Sequence, residues 1–275
     1  VDGQDGIREP LGMAGVRLEA RVHVVTTSIA AAQNVVKCCE RAGLHIADLI
    51  LAPLAAAQAV LTAEEKEFGT ALIDIGAGTT GIVAFDQGAP KHTAVLPIGG
   101  NHVSSDIATG LHTPLREAER IKRRYGAALA VAVAPDEMIE VTTIGGRAPR
   151  EFPRQLLAEI IEPRMEEIFA LVQRQLIRSG MDECLGSGVV LTGGTALMDG
   201  VVPLAERIFQ VPVRIGAPLE CEGLDETLPG PMCAAAVGLV RYGAEPSDHP
   251  TLVAGDMRLI GRVRRRMMDW IKEFM

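Results

Sequence analysis

An aspartate that ends an apolar run and is followed by a glycine-rich turn and two threonines can handle phosphate. This combination occurs at Leu72–Gly81, LIDIGAGTTG. The spacing predicts a buried strand with Asp74 at its carboxyl end. Gly76 and Gly78 permit positive φ and let a ligand approach the backbone. Successive N–H groups in such a turn can form an anion-binding nest, and Thr79 and Thr80 add hydroxyls. A carboxylate repels phosphate unless a cation or water lies between them. Asp74 would therefore hold Mg²⁺ through water. The same residues also suit a plain turn between two strands with a surface aspartate.

A second stretch, VVLTGGTALMDG at Val189–Gly200, has the same order of strand, glycine turn and helix. Gly193 and Gly194 would let the backbone press against a base or an α-phosphate, with a helix N-terminus favouring negative charge. Two such turns, far apart in sequence, suit a nucleotide held between them. Neither turn matches GxxxxGK[ST] or GxGxxG.

The elements that must position these turns follow from periodicity. Val16–Ser28 alternates and predicts a strand, followed by a helix capped by Ser28 and Gly43. An Ala-rich helical stretch with Pro53 near its start leads to Gly69. Three strands in a meander then turn at GAG and DQGAP. Two helices follow, one capped by Asn101 and one opened by Thr113–Pro114. A hairpin turns at Gly145–Gly146. A long helix after it carries an apolar stripe from Leu156 to Leu176 and a kink at Pro163. Strand, helix, strand and helix complete the pattern to Gly243, which defines an α/β fold.

The chain has 275 residues, 48% of them hydrophobic, and a net charge of −8. This acidity argues against nonspecific nucleic-acid binding, which needs a basic surface. Aromatics are only 3%, which argues against base-stacking platforms. The five cysteines include no CxxC pair, the usage of a reduced, cytoplasmic protein.

Residues 244–259 lose the periodic pattern and are expected to form a linker. In the last segment, Ile260, Val263, Met267, Trp270, Ile271 and Phe274 share one helical face. Arg262, Arg264, Arg265, Arg266 and Lys272 stand against Asp269 and Glu273. Such a helix suits the plane of an anionic bilayer, where each basic side chain contributes about 1 kcal/mol. Docking on its own domain, or service as a calmodulin-like target helix, is the alternative.

The motifs DIGAGTTG, LTGGTALMDG and PGPMCAAAVGL resemble the phosphate-2, adenosine and second connecting motifs of the actin/Hsp70/sugar-kinase superfamily. Within it, HTAVLPIGGNHVSSDIA, AERIKRRYG, IIEPRMEEIF and RVRRRMMDWIKEF resemble the bacterial cell-division FtsA family. The opening GIREPLGMAGVRLEARVHVVTTS resembles that family's extra subdomain, 1C. The resemblance covers nearly the whole chain.

It implies an actin-like (ribonuclease H-like) ATPase fold with an FtsA-type 1C subdomain. It also implies a division into residues 1–50 (1C), 51–68 (helical part of 1A), 69–100 and 181–243 (2A) and 101–180 (2B). The linker 244–259 and a membrane-targeting helix at 260–275 follow. Asp74, Gly76, Gly78 and Thr79 would then face the β- and γ-phosphates of ATP and Mg²⁺. Gly193, Gly194 and Thr195 would lie along the adenosine, with Met198 near it. Glu119 and Lys122 would reach the ribose and base edge; without the resemblance they read as a solvated i, i+3 charge pair.

Arg164, with Glu167 beside it, would meet the acidic-hydrophobic C-terminal tail of the tubulin homologue FtsZ. Residues Val263, Arg264, Arg265, Met267, Trp270, Ile271, Lys272 and Phe274 would contact the membrane. The implied function is an adaptor that tethers FtsZ filaments to the cytoplasmic face of the membrane at the division site. It would self-associate into actin-like polymers and meet later division proteins through 1C. It would be no enzyme, with slow ATP hydrolysis at most. The alternatives are an actin-fold kinase or ATPase, or another bacterial actin-like filament or pilus-assembly protein. Members often carry an aspartate where Gly81 stands. The family's phosphate-1 loop would precede Val1.

Overall fold

The computed structural model describes residues 1–4, 6–7, 10–143, 149–219 and 230–244. The Gly145–Gly146 turn, the linker beyond Ala244 and the terminal amphipathic helix lie outside the described residues. Contacts divide the chain into two units. One comprises Val1–His23 and Ala52–Ala244; the described part of the other is Val24–Leu51.

The smaller unit contains helix α1, Ile29–Arg41. Ser28 precedes it with extended backbone but makes no side-chain cap bond. The strand expected at Val16–Ser28 does not form among the described residues. Val16, Leu18, Val22, Val24 and Val25 are exposed. Alternation fixes which side chains share a face, but a strand also needs a neighbour for its N–H and C=O groups.

The larger unit opens with α2 (Ala52–Val60) and α3 (Ala63–Phe68). One Ala-rich helical stretch was expected here. Thr62 divides it, because its hydroxyl accepts from the Glu65 N–H at 3.2 Å and Glu65 accepts from the Thr62 N–H at 2.9 Å. That reciprocal pair starts a new helix. Glu65 also receives Arg214 at 2.7 Å.

Five strands form the sheet: β1 (Thr70–Ile75), β2 (Thr80–Asp86), β3 (Ala89–Leu96), β6 (Val189–Thr192) and β7 (Val213–Ile215). The spatial order is β3-β2-β1-β6-β7. β1, β2 and β3 are antiparallel neighbours, while β6 lies parallel to β1 and β7 parallel to β6. Between β3 and β6 the chain inserts α4 (Gly100–Gly110), α5 (Leu115–Tyr125), the hairpin β4 (Met138–Val141) and β5 (Arg150–Pro153), and α6 (Arg154–Ser179). Helices α7 (Val201–Phe209) and α8 (Ala234–Ala244) complete it. Despite Pro163, α6 is one helix of 26 residues.

Strand alternation sends side chains to both faces, and each face has its own cover. Ile73, Ile75, Ile82, Ala84 and Leu191 join a core with α4, α5, α6 and α7. Phe169 and Phe209 meet edge to face there, 5.5 Å between centroids. Leu72, Val83, Phe85 and Val190 pack on the small residues of α2 and α8. A Cβ at Gly238 would stand 1.7 Å from the Ala55 carbonyl oxygen, so glycine sets the α2–α8 approach. A Cβ at Gly81 would meet Pro53 at 2.2 Å. Glycine at 81 therefore lets β2 pass beneath the start of α2.

Among the described residues no helix is long and apolar enough to cross a membrane.

Candidate functional site

Both glycine turns lie at the carboxyl ends of adjacent parallel strands. Asp74 of β1 pairs with Thr192 of β6, so the turns that follow emerge side by side. A Cβ at Gly193 would stand 2.5 Å from Asp74 Oδ1 and 2.6 Å from the Ile75 carbonyl oxygen. Gly193 also has φ of 87°, where a side chain is strained. One turn closes directly on the other.

The Asp74 carboxylate makes no hydrogen bond or ion pair among the described residues, and burial pushes its pKa up. Desolvation without a partner disfavours the charged form. A cation at this carboxylate would relieve that cost. Mg²⁺ commonly uses one or two carboxylates, several waters and substrate phosphates. A lone aspartate beside an exposed turn fits that donor set; among the described residues no group of three or more His, Cys, Asp or Glu is placed to hold a metal ion by itself.

The first turn differs from expectation in detail. Gly76 and Gly78 do not have positive φ. Their value lies in the missing side chain: a Cβ at Gly78 would meet nothing within 4 Å, so the approach stays open. The Gly76 N–H donates to the Thr79 carbonyl at 3.0 Å, which closes the turn. The N–H groups of Ala77, Gly78 and Thr79 have no acceptor among the described residues, and all three residues are exposed. Three successive free donors are the raw material of an anion nest. Thr80, in contrast, is buried and spends its hydroxyl on the Ile98 carbonyl at 2.8 Å.

Helix α4 braces this turn from behind. It begins at Gly100, one residue ahead of the expected cap Asn101, and Gly99 is its N-cap. The Gly100 N–H donates to the Gly76 carbonyl at 2.9 Å, and the Asn101 N–H to that of Ala77 at 2.7 Å. His102 Nδ1 accepts from the Gly99 N–H at 3.2 Å. A side chain at Gly99 would strike Gly76 O at 2.6 Å. The Gly99–Gly100 pair is thus part of the site. Its signal in the sequence is a third glycine pair at a helix start.

Glu119 and Lys122 arrive on α5. Lys122 Nζ donates to the Gly100 carbonyl (2.9 Å), Ser104 Oγ (2.9 Å) and Glu119 Oε2 (2.6 Å). These contacts use all three of its donors, as a cation only 9% exposed requires. Ser104 Oγ donates to Glu119 Oε2 at 2.5 Å. Burial alone would raise the Glu119 pKa, but the bonds from Lys122 and Ser104 outweigh it and lower it. The Glu119 side chain stays 41% exposed. Its Oε1 has no partner among the described residues and is available to accept from a hydroxyl. Lys122 is the internal strut of this pair, and Glu119 is the member that faces outward.

The second turn completes the cluster. A Cβ at Gly100 would stand 2.7 Å from Thr195 Oγ1 and 3.2 Å from Lys122 Nζ. Asp74, Gly76, Glu119, Lys122, Gly193 and Thr195 therefore surround one place. A single 3₁₀ turn, Gly194–Leu197, follows the glycine pair directly, and the expected helix forms beyond it as α7, from Val201. Its N-terminus is not at the glycine pair. Met198 is packed into the large core instead. Half-exposed Met232 stands beside Gly194, its Cγ 3.6 Å from where a Cβ would be. Met232 carries no signal in the sequence, because strand periodicity cannot show that the residues before α8 return to this turn.

A second locus lies on α4 and α6. Arg164 Nε and Nη2 donate to Asp106 Oδ2 and Oδ1 at 2.6 and 3.0 Å, and Nη1 donates to Glu167. Arg164, Glu167, Asp106, Ile160 and Pro163 line a pocket of about 270 Å³. The guanidinium expected to meet a partner's carboxylate already holds two carboxylates of its own chain.

A sheet of order β3-β2-β1-β6-β7, covered by helices on both faces and carrying opposed glycine turns, defines an actin-like fold. Solved structures of that class superpose on the chain. MreB5 of Spiroplasma citri bound to ADP does so with a TM-score of 0.64 at 18% identity, covering 78% of this chain and 65% of that one. The MamK double helical filament gives 0.61 at 17%, covering 80% and 66%. The family profile described as cell division protein FtsA matches residues 71–238, and that of the SHS2 domain inserted in FtsA matches residues 1–26. The cell division protein FtsA of Pseudomonas aeruginosa is 52% identical over 245 residues, 89% of this chain. That of Escherichia coli K12 is 44% identical over 279 aligned residues, 99% of this chain. The chain belongs to the FtsA family of cell-division proteins. It spans 59% and 65% of the length of these two relatives.

Proposed function

We propose that this protein is an ATP-binding adaptor of cell division that tethers FtsZ filaments to the cytoplasmic face of the membrane. The observation that carries the nucleotide part is the meeting of an unpaired, desolvated Asp74 with three free N–H groups, the Gly193–Gly194 turn and Glu119. Asp74 would hold Mg²⁺ through water. The N–H groups at 77–79 would take the phosphates. Gly193, Gly194 and Met232 would flank the adenosine, and Glu119 would accept from the ribose. Mg²⁺ would supply charge neutralisation of the phosphates when bound. The nucleotide would act as a structural ligand or switch, with slow hydrolysis at most.

The Arg164–Asp106 pocket is the proposed receptor for the acidic-hydrophobic FtsZ tail. A carboxylate of the tail would compete with exposed Glu167 for the guanidinium, while Asp106 keeps it in place. Residues 260–275 would lie in the membrane interface, Trp270 and Phe274 downward. Self-association through actin-type contacts and docking of later division proteins on the 1C-like opening complete the reading. Family membership supports each of these roles.

The test is binding of a labelled FtsZ C-terminal peptide to the full-length protein by fluorescence anisotropy. Arg164→Glu, which puts a third carboxylate beside Asp106 and Glu167, should weaken binding at least about tenfold, the loss of one charge-assisted contact plus repulsion. Unchanged affinity rejects the pocket as the receptor.

A further inference from the structure

Helix α4 joins the two loci just described. At its first turn, Gly100 and Asn101 donate to the Gly76 and Ala77 carbonyls of the phosphate turn. Ser104, one turn on, belongs to the Lys122–Glu119 network. Asp106 then grips Arg164 with both oxygens. At the far end a Cβ on Gly110 would meet Ile160 Cδ1 at 2.7 Å, so α4 lies tight on α6 beside the pocket. From Gly100 to Asp106 is about 9 Å along the helix axis, at 1.5 Å per residue. A helix this short moves as one body. A shift of the turn at 76–77 must displace Asp106, unless hydrogen bonds at the first turn break.

Asp106 is also the only acceptor on α4 that Arg164 uses among the described residues. It fixes the guanidinium by a two-point contact that a single bond would not reproduce. The link from turn to pocket is short: turn carbonyls, one helix, one carboxylate, one guanidinium.

We propose that Asp106 is a positioning residue for the peptide pocket, and that α4 makes its position depend on what the 76–79 turn holds. Nucleotide and acidic tail are therefore linked ligands. This rests on the reading of the two loci as nucleotide and tail sites. Linkage is reciprocal: the tail must change nucleotide affinity by the same factor as nucleotide changes tail affinity.

The experiment measures that factor on the full-length protein. A fluorescent ATP analogue with Mg²⁺ is titrated with and without saturating FtsZ tail peptide, and the peptide is titrated with and without saturating nucleotide. Wild type should show a change of about fivefold or more in either direction, equal in both titrations. Asp106→Asn keeps the shape of the side chain but loses the charged two-point grip. It should bring the factor within about twofold of one while nucleotide still binds; its thermal unfolding midpoint is recorded to confirm a folded protein. Wild type that binds both ligands with a factor near one overturns the coupling and leaves the two sites intact. An Asp106→Asn variant that keeps the full factor overturns the role of Asp106. If the peptide binds in neither state, the tail reading falls, and hydrogen exchange of residues 160–167 decides the coupling. Slower exchange with Mg-nucleotide in wild type, lost in Asp106→Asn, supports it; no change overturns it.

Discussion

At the scale of single residues, Asp74 carries a carboxylate where burial disfavours its charge. Its pKa is raised because burial disfavours the carboxylate and no partner among the described residues compensates. The native state therefore binds the proton more tightly than the unfolded chain does. The contribution of this group to stability is fully present below the unfolded pKa and is lost as pH rises through the folded value. At neutral pH the charge is a net cost. Asp74→Asn should then raise the unfolding midpoint in urea at pH 7, with the gain vanishing near pH 3. The same change should abolish or strongly weaken Mg-ATP binding measured by equilibrium dialysis. A variant that loses stability at pH 7 would show that Asp74 has a partner the charge supports. Lys122 illustrates the opposite case. Its spacing reads as a solvated charge pair and only the resemblance implied a ligand contact; in the fold three internal acceptors consume its donors. Its neighbour Glu119 keeps one oxygen free.

At the scale of elements, the α2–α8 pair is held by missing side chains rather than by large ones. Gly238 lies against the Ala55 backbone, with Ala56, Ala57, Ala59 and Ala234 buried around it. Arg241 Nη1 donates to the Gln58 carbonyl at 3.3 Å and closes the end of α2. Gly238→Ala places a methyl where a carbonyl oxygen stands, so the helices must separate. The expected cost is about 1–3 kcal/mol, as for overpacking in a tight core, read from the urea midpoint at constant m-value. Helix propensity alone predicts the reverse, since alanine is favoured over glycine by about 1 kcal/mol inside a helix. The sign of the measured change separates packing from propensity. Thr62 shows how a local signal was overlooked. The Thr62–Glu65 spacing is a capping box in plain view, but the surrounding alanines carried the helical pattern across it.

At the scale of the whole molecule, the charge is uneven. The chain carries −8 overall, yet its last residues set Arg262, Arg264, Arg265, Arg266 and Lys272 against only Asp269 and Glu273. Deleting Gly261–Met275 should release the protein from vesicles containing phosphatidylglycerol in a co-sedimentation assay. Raised salt should weaken the binding of the intact protein, as screening of basic side chains requires. Unchanged co-sedimentation after the deletion would reject the anchor. What the sequence by itself determined is the local grammar: apolar strands, glycine turns after Asp74 and after Thr192, the α5 charge pair and the amphipathic end. These are short-range patterns, set by backbone sterics and by the period of side-chain burial. Only the tertiary structure decided which patterns meet. Parallel pairing of β1 with β6, across more than a hundred intervening residues, put Gly193 against Asp74. The docking of α4 turned Gly99–Gly100 from a helix start into the back wall of the site. The seating of α4 on α6 gave Arg164 its own carboxylate, and the return of the chain before α8 put Met232, not Met198, beside Gly194. Contacts of that range depend on how the sheet and its two helical covers close together, and no periodicity within one segment encodes them.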